Sequence, residues 1–403
     1  MTAPTSPRLA YRILAGMALL LAGVGMVRYA YGPLLPSMFH AKWLDPTSAA
    51  YIGSVNFAAN VLMAMLCPAL TRRFTVGRVM RWTMMIGVLS TAANAFDFGI
   101  IWIGACRALA GATAGTAIIL TPILCIQGLE RSKRSVVVGL AFFGSGVGVV
   151  AASLLIPMVT TTSPEGGWLL ISGVTLAATI FTWKLMQPVH TTASATKPAP
   201  LGPSARRAML VLLCGYTLFA MCSVPHAIFL SAYLHDRLHV GRDNAAMAYA
   251  AFGIGLAIGG PLISSLIARF AGLRTATVVS AALGAMAITM VLAWESVPLV
   301  IASGVIMGTA QMGMVPVCSN CCLELAGPTG HTRWWSILSV GFTLGISIGT
   351  LGIGAMFHAG WGYRAAFEVA AIASAASITL MITFWFLSQA AKPDDIASAP
   401  VTA

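Results

Sequence analysis

This sequence predicts an all-α polytopic membrane protein of twelve transmembrane helices in two sets of six, on three observations. The first is composition: 58% of the 403 residues are hydrophobic and 8% are charged, where soluble domains carry about 25% charge. Mean hydropathy is +0.87. The second is the presence of twelve apolar segments, which allots about 33 residues to each span and its connection and leaves no room for a soluble domain. The third is an interruption from Pro188 to Arg207, rich in Pro, Ala, Thr and Ser, that reads as a flexible linker between the sixth and seventh spans.

In chain order, the spans are expected near residues 12–38, 48–70, 79–97, 99–127, 135–160 and 168–187, then 207–233, 245–268, 275–294, 297–323, 334–357 and 365–389. This divides the chain into a tail at 1–11, a first set at 12–187, a linker at 188–206, a second set at 207–389 and a tail at 390–403. The first segment follows Arg8 and Arg12, as a signal peptide would. It lacks a small-x-small cleavage site and continues through Arg28, Pro33 and Pro36, so it reads as an uncleaved span.

Basic residues fix an expected orientation. With the N-terminus cytoplasmic, seventeen of the 23 basic residues fall on the inside, among them Arg72, Arg73, Arg78, Arg81, Arg131, Lys133, Arg134, Arg206, Arg207, Arg269 and Arg274. Only Lys42, Arg237, Arg242 and Arg364 fall outside, and Arg28 and Arg107 lie within spans. That asymmetry places both termini in the cytoplasm of a multi-pass protein of the plasma membrane, the bacterial inner membrane. It also accounts for the net charge of +12 through basic loops beside anionic lipid, with no nucleic-acid partner.

The halves echo each other. Arg73-Phe74 with Gly77-Arg78 follows the second span, and Arg269-Phe270 with Gly272 and Arg274 follows the eighth. Glycines four apart recur as Gly144 and Gly148 in the fifth span, Gly255 and Gly259 in the eighth, and Gly345 and Gly349 in the eleventh. Small residues at that spacing share one helix face and let helices approach and slide, which reads as a conformational seam; close packing alone is the alternative. Two such repeats about an axis along the membrane normal build some transporters around a midplane site.

The six-plus-six layout, the basic loop after the second span, and Arg107-Ala-Leu-Ala-Gly111-Ala-Thr-Ala-Gly115 in the fourth resemble the major facilitator superfamily over essentially the whole chain. Within it, Arg28-Tyr-Ala-Tyr-Gly-Pro-Leu-Leu-Pro36-Ser-Met38, with Tyr216 and the stretch from Pro225 to Tyr233, resembles the YbfB/YjiJ-like branch. The resemblance implies the major facilitator fold, two six-helix bundles that rock about a central site. Spans one, four, seven and ten would line the cavity, and two, five, eight and eleven would form the moving seam. One departure concerns the loop after the second span. The superfamily usually places an aspartate before its basic residues, whereas this chain reads Ala69-Leu-Thr71-Arg72-Arg73.

Arg28 is the most informative residue taken alone, because a mid-membrane arginine costs roughly 2.5–3.5 kcal/mol and therefore faces a cavity or a partner. At ~1.5 Å per residue, Arg28 lies about 16 Å from the outer helix end, and Arg107 and His226 about 12 Å, so the three could share one level. Pairing with backbone carbonyls is the alternative role for the arginines, and a hydrogen-bonded structural role is the alternative for His226. Gln311, Tyr31 and Tyr216 are further candidates to contact substrate, and Asn56 and Asn60 share a face that could support the arginines. The prolines predict a bend in the outer third of the first span.

All eleven acidic residues fall in loops, tails or near span ends, which predicts a neutral or positive cavity. A carrier of organic cations would hold a buried carboxylate, so the expected partner is a small anionic or polar organic solute, with a coupling proton or counter-substrate and membrane lipid beside it. The eight cysteines, Cys318, Cys321 and Cys322 among them, lack histidine or acid at ligand spacing, so no metal and no cofactor is expected. No nucleophile, acid pair or metal cluster at membrane depth points to an enzyme, and no nucleotide-binding motif points to ATP drive. The expected function is secondary active transport. An efflux pump for amphipathic compounds is the alternative within carriers, and a non-transporting sensor or scaffold the alternative outside them.

Overall fold

The structure, a computed structural model, describes residues 9–127, 129–161, 163–186, 201–294 and 296–389. These residues form helices and short connections, with no strand among them. The first half comprises α1 (Leu9–His40), α2 (Pro46–Arg73), α3 (Val76–Ala93), α4 (Ile100–Ile126), α5 (Arg131–Val159) and α6 (Glu165–Thr182). The second comprises α7 (Pro203–Arg237), α8 (Arg242–Gly259 continued through Gly260–Ile267 and Ala268–Ala271), α9 (Leu273–Ala293), α10 (Val297–Gly327), α11 (Arg333–His358) and α12 (Tyr363–Gln389). Among the described residues, eleven helices are long and apolar enough to cross a membrane. The remaining one, α3, is 18 residues long and falls short because Arg78 and Arg81 lower the hydropathy of its first turns.

Local chemistry sets the helix ends. Asp45 caps α2: its side chain accepts from Ser48 N at 2.8 Å while Asp45 N donates to Ser48 Oγ at 3.1 Å, with Pro46 at the first helical position. Between α10 and α11 the chain turns at Gly327, whose φ of 64° favours glycine. The expected linker ends earlier than read, since α7 begins at Pro203. Most of it, residues 187–200, lies outside the described residues, as do the tails at 1–8 and 390–403 and Glu295.

Backbone-to-backbone approaches at glycine hold each half together. A Cβ on Gly144 of α5 would run into Met17 O in α1, and one on Gly148 would come within 2.5 Å of Leu21 O. The second half repeats the arrangement between α11 and α7: a Cβ on Gly345 would run into Thr217 O, and one on Gly349 would come within 2.9 Å of Met221 Cγ. Likewise Gly111 of α4 faces Asn56 O of α2, and Gly308 of α10 faces Phe252 O of α8. Gly255 and Gly259 of α8 complete the pattern against Val305 O and Thr309 O of α10.

These contacts correct the expectation for the six paired glycines. All of them pack inside a bundle, because the face they share on each helix turns toward that helix's own bundle. The helices expected at the seam do meet there, through other residues. Gly146 of α5 faces Ala257 N of α8, and Gly253 of α8 faces Val150 N of α5. Gly53 of α2 faces Thr350 of α11, Gly354 of α11 faces Tyr51 of α2, and Ser347 Oγ donates to Ser54 O at 3.1 Å. The last stretch of α1, Tyr31–His40, also packs on the last stretch of α7, Leu230–Arg237. These cross-bundle contacts lie at mid-depth or in the half remote from the basic connections. At the basic face, in contrast, the named arginine contacts lie within bundles: Arg12 donates to Gln127 O, Arg81 to Trp183 O at 3.1 Å, and Arg274 to Ser388 O at 3.5 Å.

Candidate substrate site

The irregular part of α1 generates the site. Regular helix ends at Leu20, and wide turns follow, with Val27 N bonded to Ala22 O and Tyr29 N to Val24 O, each five residues back. The turn then tightens. Gly32 N bonds to Tyr29 O at 3.3 Å and so bypasses Arg28 O, which an unbroken helix would have paired with it. The bend therefore precedes the prolines. Pro33 sits in the first turn of the regular segment Tyr31–His40, where a missing N–H costs little.

Arg107 of α4 fills the gap that this bend leaves. Its Nη1 donates to Val27 O at 2.7 Å and its Nη2 to Arg28 O at 3.1 Å. The guanidinium lies 4.6 Å from the Tyr31 ring centroid and 5.9 Å from that of Trp168. Tyr31 is itself held by a hydrogen bond to Ala49 O at 3.0 Å, and Asn56 Nδ2 donates to Arg107 O at 2.7 Å. Arg107 thus secures the broken backbone of α1 to α4.

Arg28 is treated differently by its surroundings. It is 6% exposed, and its Nε and Nη2 make no hydrogen bond within the protein. Its guanidinium lies 4.4 Å from the Phe57 ring centroid and 5.2 Å from that of Tyr29. Each cation–π contact supplies about 0.5–2 kcal/mol, against several kcal/mol for removing an ion from water. The balance leaves a buried cation that calls for an anion. Among the residues whose exposure is described, no Asp or Glu is buried to provide one.

A bridge to the second half starts one residue further on. Gln311 of α10, 2% exposed, donates from Nε2 to the Tyr29 hydroxyl at 3.2 Å, and its Oε1 is without a partner. The Tyr29 ring also meets Phe252 of α8 edge-on at 6.1 Å. Tyr249 of α8 packs against Gly32 and donates its hydroxyl to Ala227 O, in the wide turns Pro225–Phe229 of α7. The irregular stretches of α1 and α7 therefore share one layer with α8 and α10.

Residues 20–382 match the family described as "Uncharacterised MFS-type transporter YbfB". The chain belongs to that family. Its fold is similar to that of an auto-inhibited POT family peptide transporter, with a TM-score of 0.72, 13% identity, and coverage of 96% of this chain and 98% of the other. It is also similar to a POT family transporter in complex with a thioalcohol-conjugated peptide (0.78, 12%, 95% and 96%) and to the nucleoside transporter NupG (0.75, 12%, 94% and 99%). The all-helical major facilitator architecture expected from the sequence is thereby established.

In this MFS-type transporter, Arg28, Arg107 and Tyr31 come together, and Gln311 joins them through Tyr29. His226 takes another course: its Nε2 pairs with Ser303 at 3.1 Å, its ring meets Phe367 of α12 edge-on at 5.3 Å, and it is fully buried in the second bundle. Tyr216 likewise packs within that bundle, 4.6 Å from Phe342 and 6.5 Å from Trp335. His226 is not brought beside Arg28 and Arg107, because its position on α7 turns its ring toward Ser303 of α10 and Phe367 of α12. Arg107, expected among the substrate contacts, gives one hydrogen bond from each Nη to the carbonyls of Val27 and Arg28. Phe57 was not anticipated; its position next to Asn56, on a helix facing the bend, was the available signal.

Proposed function

We propose that this protein is a secondary active transporter that moves a small anionic or polar organic solute by alternating access, with Arg28 as the residue that receives the anion. The observation that carries the reading is a guanidinium buried against Phe57 and Tyr29 with Nε and Nη2 unpaired and no buried Asp or Glu among the residues whose exposure is described. Arg107 holds the bend of α1 that presents Arg28, and Gln311 ties the site to the second bundle. A solute held at Arg28 and Gln311 would touch both halves at once. Its binding would therefore bear on the contact between them, as alternating access requires.

The bundles at 12–187 and 207–389 act as the two moving bodies in this reading, with the basic face cytoplasmic in the bacterial inner membrane. Closure at the opposite face, through Gly53, Gly146, Gly253 and Gly354, corresponds to the inward-facing state. A thermal-stability screen of the purified protein in detergent tests the proposal, comparing organic anions, cations and neutral solutes on the native form and on Arg28→Gln. A ligand at 100 times its dissociation constant adds about 2.7 kcal/mol to the folded state. Anions are expected to stabilise the native protein and to lose that effect on Arg28→Gln. Stabilisation by cations or bulky neutral compounds, undiminished in the variant, would sink the reading in favour of amphipathic efflux.

A further inference from the structure

We infer that the solute is a hydroxymonocarboxylate with an apolar body, which rests on the carrier reading above and narrows it. The two unpaired atoms of Arg28, Nε and Nη2, lie on the same edge of the guanidinium. Their N–H bonds run parallel and match the two oxygens of one carboxylate. Arg107 offers no such edge, since Nη1 and Nη2 are taken and only Nε is without a partner.

The planar donors restrict how this edge is met. The Nε and Nη2 N–H bonds lie in the guanidinium plane, so an incoming acceptor approaches in that plane, which suits a flat carboxylate, while Phe57 and Tyr29 lie 4.4 and 5.2 Å from the guanidinium. A phosphate would bring a third charged oxygen and most of a second charge, with no second two-donor edge to take them. An amino acid would bring an ammonium, and no buried carboxylate among the described residues would receive it. One negative charge is therefore matched and a zwitterion or dianion is not.

The rest of the solute is read from its neighbours. Phe57, Tyr29 and Phe252 form an apolar, aromatic surround suited to a ring or short hydrocarbon body. Gln311 gives its Nε2 to Tyr29 and keeps an unpaired Oε1 in the buried layer. A hydroxyl on the solute would donate to that oxygen and remove an uncompensated buried acceptor.

The test uses the full-length protein in detergent and reads the shift in melting temperature as ligand concentration rises. The probes are mandelate, 4-hydroxybenzoate, benzoate, phenyl phosphate, phthalate, phenylglycine and benzamide. The hydroxylated monocarboxylates are expected to act at the lowest concentrations, benzoate at higher ones, and the other four not at all. Arg28→Lys keeps the charge without the two-donor edge and should weaken the monocarboxylates at least about tenfold. Gln311→Leu should erase the advantage of the hydroxylated compounds over benzoate. A phenyl phosphate, phthalate or phenylglycine response that depends on Arg28 overturns the inference and leaves the carrier reading standing. Silence from every monocarboxylate also overturns it. A response of any class that is unchanged in both Arg28→Gln and Arg28→Lys overturns the carrier site itself. If Arg28→Gln does not fold, Arg28→Lys and Gln311→Leu carry the decision.

Discussion

Two arginines buried in one layer have opposite energetics. Arg107 pairs two carbonyls freed by the bend of α1, and charge-assisted hydrogen bonds of this kind contribute about 1.5–3 kcal/mol each. Arg28 has ring contacts but an unpaired edge, so its burial is not offset in the same way. Opposite signs are expected on substitution. Arg107→Met should lower the stability of the ligand-free protein by at least about 2 kcal/mol, since it leaves two buried carbonyls unsatisfied. Arg28→Met should leave it unchanged or raise it by about 1–4 kcal/mol, as replacing buried charge with apolar volume often does. Melting curves of both variants in the same detergent decide it; an equal loss in both would mean that Arg28 is structural. The sequence made both arginines legible as intramembrane charges, because charge in an apolar run is visible without a structure. It left their roles open, because those depend on which carbonyls the bend frees. The prolines directed attention to the outer third of α1, whereas the wide turns at Leu21–Met26 lie before it.

At the level of helices, glycine has two jobs on different faces of the same element. The run Gly144-Ser-Gly146-Val-Gly148 presents its outer members to α1 and its middle member to α8. Four-residue spacing identified the first face. The second was also written in the sequence, since residues two apart lie about 200° apart around a helix, but nothing local says which face meets a neighbour within the bundle and which meets the other half. The two faces predict different phenotypes. Gly144→Val places side-chain atoms against Met17 O and should destabilise the first bundle by about 1–3 kcal/mol, the range for overpacking. Gly146→Val wedges α5 from Ala257 and should instead shift the balance between conformations. In a cysteine-free background, Ser54→Cys, at the α2–α11 contact, reports that shift by maleimide labelling. Labelling should quicken in Gly146→Val and stay unchanged in Gly144→Val at temperatures where both remain folded. Equal rates in the two would show that the α5–α8 contact does not govern the α2–α11 contact.

For the molecule as a whole, repetition constrains the outcome more than any single residue does. The α1–α5 contact recurs as α7–α11 and the α2–α4 contact as α8–α10, so the halves are built alike. They differ in the layer between them: Arg28, Tyr29 and Arg107 come from the first, His226, Ser303 and Gln311 from the second. Like bundles with unlike inner faces are what a rocking carrier with one asymmetric solute needs. The cross-bundle contact at Ser54 and Ser347, 3.1 Å in this structure, must then open in every cycle. Holding it shut with a short bismaleimide across Ser54→Cys and Ser347→Cys, in a cysteine-free background, should abolish transport in proteoliposomes. Binding should persist, because Arg28 and Gln311 are untouched and the basic face stays free to open. A melting-temperature response retained after crosslinking, beside zero flux that recovers when the single-cysteine forms are treated identically, fits alternating access. Undiminished flux in the fully crosslinked protein would mean that the α2–α11 contact stays closed during transport, and that solute leaves by a route other than the one between the bundles.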